Sequence, residues 1–137
     1  MRPSLSLAVG VTWRDLVTGL AELGQRWTEL EIDWAATGAA AAAVLAPLLT
    51  NVAATTVYVD ARTSAELQAI ATRSQLRPIE GGRLTLVPFP TVGTRRLART
   101  ADGIRLAPWP RIYADLRTIG VRGEEAAEHL REVMRGR

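Results

Sequence analysis

The sequence predicts an α+β domain: a mixed sheet of about four to five strands, helices packed mainly on one of its faces, and two helices closing the C-terminus. Three observations carry this. Short stretches with strand character, such as Thr55 to Asp60, alternate with stretches of helical period. The length of 137 residues, with 47% hydrophobic and 23% charged residues, suits one globular domain with its own core. Residues Ala107 to Met134 read as two amphipathic helices in tandem.

Residues 1–10 carry no clear period and read as a linker or remnant, leaving 11–137 as the domain. Thr12 then caps a helix to about Arg26, with Asp15 three residues on and an apolar face of Trp13, Leu16, Val17, Leu20 and Leu23. Glu29 to Ala36 alternates Leu30, Ile32 and Trp34 with Glu31 and Asp33, the period of a half-buried strand. Thr37-Gly38 makes a turn, and Ala39 to Leu49 is an Ala-rich helix able to pack closely on a sheet. The uncharged run from Trp34 to Val59 is long enough to span a bilayer. Gly38, Pro47 and Asn51 interrupt it, so it reads as a buried helix and strand.

Thr50-Asn51 opens a loop, and Thr55 to Asp60 is β-branched and aromatic, as in a central strand. Thr63-Ser64-Ala65-Glu66 is a capping box for a helix to about Ser74, with Leu67, Ile70 and Ala71 facing inward. Leu76 to Ile79 and Arg83 to Val87 flank Gly81-Gly82 and read as a hairpin. Residues 91–102 read as a basic loop, and an Asp102-Gly103 turn leads into a short strand to Leu106. In the closing pair, Ile112, Leu116 and Ile119 share one face, Gly120 ends the first helix, and Gly123 precedes the second. There Ala126, Ala127, Leu130, Val133 and Met134 form the apolar stripe.

Chemistry is sparse. With no cysteine, no disulfide or thiol chemistry is available. His129, the single histidine, excludes a multi-histidine metal site and reads as a surface residue beside the last apolar stripe. No nucleophile elbow or phosphate-binding loop occurs, and no cofactor or metal is implied. The net charge of +3 comes from arginine alone, as the chain has no lysine. Guanidinium suits phosphate and carboxylate partners, but +3 is too modest to define a nucleic-acid binder. Arg95, Arg96 and Arg99 form the densest basic cluster, readable as phosphate contacts or as a solvated loop; Arg73 and Arg77 come next. Asp60 ends a strand, where a functional carboxylate or a cap can sit. Gly38 reads as a turn residue or a close-approach glycine. Asp115 and Arg122 bracket the link between the closing helices, as an ion pair or cap would.

The C-terminal residues carry a resemblance. Ala107-Pro108, Ile112-Tyr113-Ala114-Asp115-Leu116 and Arg122-Gly123-Glu124-Glu125-Ala126-Ala127-Glu128-His129-Leu130, together with the Thr37-Gly38 Ala-rich segment and Val57 to Asp60, resemble the C-terminal domain of AbiEi-family antitoxins, transcriptional regulators of type IV toxin–antitoxin systems. The likeness runs from about Trp13 to Met134. It marks Gly38, Asp60, Asp115, Arg122 and Glu125 as family-motif residues. It implies a non-enzymatic, cytoplasmic regulatory domain whose partners are promoter DNA, a cognate toxin or further copies of itself, with no membrane partner. Family members usually carry an N-terminal winged helix; nothing here resembles one, so the chain is expected to correspond to the C-terminal domain alone.

A more distant resemblance is to nucleotidyltransferase-like folds, with Gly38 at the strand–helix turn and Asp60 on the next strand. That alternative is an enzyme using Asp60 and Asp33 in one pocket beside Gly38, since magnesium and a triphosphate require paired carboxylates. A further alternative is a protein-interaction module, for which an exposed apolar patch is the sign.

Overall fold

The computed structural model describes residues 5–47 and 52–136. Its elements run β1 (Leu7–Gly10), α1 (Leu16–Glu29), β2 (Trp34–Thr37), α2 (Gly38–Leu45), β3 (Thr55–Val59), α3 (Ser64–Arg73), β4 (Arg77–Pro78), β5 (Leu84–Pro88), α4 (Val92–Arg96), β6 (Arg99–Ala101), β7 (Ile104–Leu106), α5 (Trp109–Leu116) and α6 (Val121–Arg135). The strands form one mixed sheet in the order β4-β1-β5-β3-β2-β7-β6. The class is α+β as expected, with seven strands in place of four to five.

The sheet is covered on both faces, not mainly on one. Trp34 and Ala35 are neighbours on β2, so their side chains point to opposite faces. Trp34 packs against Trp27 of α1, with ring centroids 5.8 Å apart. Ala35 lies in register with Tyr58, whose hydroxyl reaches Asp115 of α5. Thus α1 lies on one face and α5 on the other. The Trp27 indole N–H donates to the Ser74 hydroxyl at 2.7 Å, which ties the end of α3 to the α1 face. Double coverage explains why every residue of β2 is buried.

Several boundaries differ from the sequence expectation for local reasons. Leu7–Gly10 is no linker: β1 pairs antiparallel with β5 on one side and β4 on the other. It therefore lies between the two strands expected to form a hairpin around Gly81-Gly82, and β4 and β5 do not pair directly. The cap of α1 is Asp15, not Thr12. Its carboxylate accepts the Val17 N–H at 3.0 Å and the Thr18 hydroxyl at 2.8 Å. The Thr18 hydroxyl foremost, and then that N–H, hold the Asp15 carboxyl below its ordinary range.

The first half of the expected strand from Glu29 to Ala36 is spent unwinding α1. Glu31 adopts φ +60°, and the Ile32 N–H returns to the Trp27 carbonyl at 2.8 Å. The Ala-rich helix ends at Leu45; Leu49 and Thr50-Asn51 lie outside the described residues. The basic loop contains α4 and β6. Gly123, expected before the last helix, lies buried within it, and Gly120 stands at its cap. Among the described residues, no helix is long and apolar enough to cross a membrane.

Candidate functional site

Two polar clusters adjoin the paired strands β2 and β3, one on a face of the pair and one at an end. The first is centred on Asp115. Pro108 and Pro110 start α5, and buried Ile112 and Leu116 press it onto the sheet. Asp115 lies one residue before Leu116 and turns toward β2 and β3. Its carboxylate accepts the Thr37 hydroxyl at 2.6 Å and the Tyr58 hydroxyl, and pairs with Arg111 at 3.0 Å. Thr37 and Tyr58 are both buried. Burial foremost, then the hydrogen bond to Asp115 and its negative charge, push the Tyr58 phenol well above its ordinary range. The expected Asp115–Arg122 link does not form: the arginine that Asp115 uses is Arg111, one turn earlier on its own helix, while Arg122 is exposed on α6.

The second cluster lies at the Trp34–Val59 end of the two strands. β2 and β3 are antiparallel, with Trp34 opposite Val59. Asp33 and Asp60 therefore come together just beyond that pair, and the Asp60 N–H donates to the Asp33 carbonyl at 3.1 Å. Arg95 reaches across from α4. Its guanidinium pairs with the Asp33 carboxylate and lies 3.4 Å from that of Asp60. Arg105 on β7 donates to the Arg95 carbonyl at 3.1 Å, so β7 also supports this arrangement. A shallow cavity of about 290 Å³ opens alongside, lined by Thr28, Glu31, Ile32, Asp33, Trp34 and Arg105.

Gly38 sits at the opposite end of β2, as the first residue of α2 with φ +69°. Its left-handed backbone makes the abrupt strand-to-helix turn that a side chain would strain. Four strand residues at ~3.3 Å each separate that turn from Asp33. Asp33 and Asp60 do meet, but not beside Gly38, and the space between them is bridged by a guanidinium. No group of three or more histidine, aspartate or glutamate residues positioned to hold a metal ion occurs among the described residues.

The expected phosphate contacts are dispersed. Arg95 is committed to Asp33 and Asp60. Arg96 and Arg99 are exposed at the β6 edge of the sheet, where α4 leads into the last strand. Arg77 lies on β4, at the far edge, and Arg73 ends α3 with its guanidinium 3.3 Å from the Leu30 carbonyl. Six strand spacings of ~4.8 Å separate the two edges, so these arginines form no single patch. Glu125 is exposed on the outer face of α6, in a groove of about 440 Å³ that it shares with Val121, Glu124, Glu128, His129 and Glu132.

Sequence reasoning passed over Tyr58 and Thr37. Both read locally as strand and turn residues; their partner Asp115 is 57 residues from Tyr58 and 78 from Thr37 along the chain. The motif of the closing helices is itself interlocked. The Tyr113 hydroxyl donates to Glu128 at 3.0 Å, and Arg131 pairs with the same carboxylate at 2.7 Å. These bonds, that from Tyr113 foremost, hold Glu128 below its ordinary range. Comparison of the chain with protein-family models, with curated proteins and with solved structures finds no match.

Proposed function

We propose that the chain is a non-enzymatic regulatory domain of the AbiEi antitoxin type, acting through DNA contact, self-association or toxin neutralisation. The observation that carries this reading is how the polar residues of the resemblance motif are used. Asp115 holds α5 to the sheet, and Glu128 ties α6 to α5. Asp33 and Asp60, the pair an enzyme would require, are bridged by Arg95 on the side away from Gly38. Among the exposed charged groups that make no ion pair among the described residues are Arg96 and Arg99, together at one sheet edge. Exposed guanidiniums there can contact phosphates without reading bases.

Fluorescence anisotropy with a short DNA duplex across a salt series tests this reading. Binding is expected at low salt and to weaken as salt rises. Arg96→Gln/Arg99→Gln should reduce the slope of log K against log salt by about 1.8, the value for two lost phosphate contacts. No binding at low salt, or an unchanged slope in the variant, would remove the assignment of these two arginines.

A further inference from the structure

The largest exposed apolar side chains fall mostly into two places. Val92 and Leu97, 65% and 61% exposed, flank Arg96 and Arg99 at the α4–β6 edge. Ile119 and Val121, 57% and 72% exposed, flank Gly120 at the start of α6. Val121 is continuous with the α6 groove, whose other lining residues include four glutamates and no arginine. Of these, Glu128 is occupied by Tyr113 and Arg131, while Glu124, Glu125 and Glu132 are exposed and make no ion pair among the described residues. Arg96 and Arg99 likewise make none.

We propose that these two surfaces bind each other between copies of the chain, so that the α4–β6 edge of one copy seats on the α6 groove of the next. Charge and apolar character match on both sides: two unpaired guanidiniums with two apolar side chains face three unpaired carboxylates with two apolar side chains. The two surfaces do not satisfy each other within one chain, because α6 packs on α5 and α2. The contact is heterologous, since one surface meets a different one. It therefore builds a ring or an open chain, or closes as a pair in which each copy's edge seats on the other's groove. With two exposed apolar side chains on each side, the contact is weak and forms with rising concentration. Its charged rim makes it sensitive to salt. This inference does not depend on the DNA reading, although both use Arg96 and Arg99, and DNA and a second copy would compete for them.

Sedimentation velocity over a concentration series tests it. The native chain is expected to gain mass with concentration, and to lose that gain in high salt. Arg96→Gln/Arg99→Gln keeps the groove and loses the edge; Glu124→Gln/Glu125→Gln keeps the edge and loses the groove. Each variant alone should stay a monomer. An equimolar mixture should form a species of two protomers and nothing larger, because each variant retains one half of the contact. A native chain that remains monomeric at every concentration would overturn the inference. So would association that survives in either variant, or a mixture that stays monomeric. DNA binding that persists in the glutamate variant separates this contact from the phosphate contact.

Discussion

Removing the Asp115 carboxylate should cost more stability than removing any single group that donates to it. In Asp115→Ala, the Thr37 and Tyr58 hydroxyls lose a shared acceptor in a place where water has little access, since they are 1% and 6% exposed. A stranded buried donor costs about 1–3 kcal/mol, so the two together give about 3 kcal/mol after some local relaxation. Arg111 adds little, because its side chain is 37% exposed and water can replace the lost partner. For a domain of 137 residues, with unfolding entropy near ~2.1 cal/mol/K per residue, that cost lowers the melting temperature by about 10 °C. Asp115→Asn keeps one carbonyl acceptor and should cost about half as much. Tyr58→Phe removes one donor and leaves the carboxylate with Thr37 and Arg111, so it should cost about 1 kcal/mol. Urea unfolding followed by tryptophan fluorescence gives all three values on one scale. If Asp115→Ala costs less than Tyr58→Phe, or less than about 1 kcal/mol, Asp115 is not what holds α5 to the sheet.

Two further outcomes follow from the same geometry. A Cβ at Gly123 would sit 2.1 Å from the Leu116 carbonyl oxygen and 2.8 Å from the Ile119 Cβ, so Gly123→Ala must push α6 away from the end of α5. Thermal unfolding should show a loss of about 1–3 kcal/mol, and a neutral result would mean that the two helices do not need this close approach. Tyr58 makes stability depend on alkaline pH. Its folded pKa lies above its unfolded value near ~10, so its contribution is intact below that value and is lost as pH rises beyond it. The chain has no lysine and no cysteine, which leaves the two tyrosines as the side chains that ordinarily titrate in this window. The urea midpoint should fall between about pH 9 and 11 in the native chain and fall much less in Tyr58→Phe; equal falls in both would assign the effect elsewhere.

What could be read from the sequence was local. Thr63 caps α3 as its capping box requires, accepting the Glu66 N–H at 3.1 Å. Asp102-Gly103 turns the β6–β7 hairpin with both residues at positive φ, 52° and 78°. The strand around Val57 lies where its period puts it, and Ile112, Leu116, Ala127 and Leu130 of the closing pair are buried as expected. Ile119, expected on the same face as Ile112 and Leu116, falls past the end of α5 and is 57% exposed, and α6 starts at Val121, ahead of Gly123. What could not be read depended on a partner remote in the chain. Four residues, Leu7 to Gly10, show no alternation because they are inner strand, paired on both sides with segments that arrive about seventy residues later. The hairpin expected around Gly81-Gly82 has good local turn chemistry, yet β1 takes the place between its arms. Gly82 then packs so closely that a Cβ would lie 2.2 Å from the Val9 carbonyl oxygen.

The same division governs the candidate site. A period of 3.6 identifies the faces of α5 that carry Ile112 and Leu116, but it leaves Asp115 as one more polar residue near a helix end. Its function emerges only when antiparallel pairing of β2 and β3 sets Thr37 and Tyr58 under it. That pairing also separates Gly38 from Asp33 and Asp60, placing the turn and the acids at opposite ends of the same two strands. Sequence spacing alone allows the glycine and the acids to converge; the antiparallel register does not. Arg95 then lies where the two carboxylates need a countercharge, which removes it from the basic cluster that composition suggested. Its neighbours Arg96 and Arg99 keep their charge exposed beside Val92 and Leu97, which is why the proposed contacts are placed at this edge.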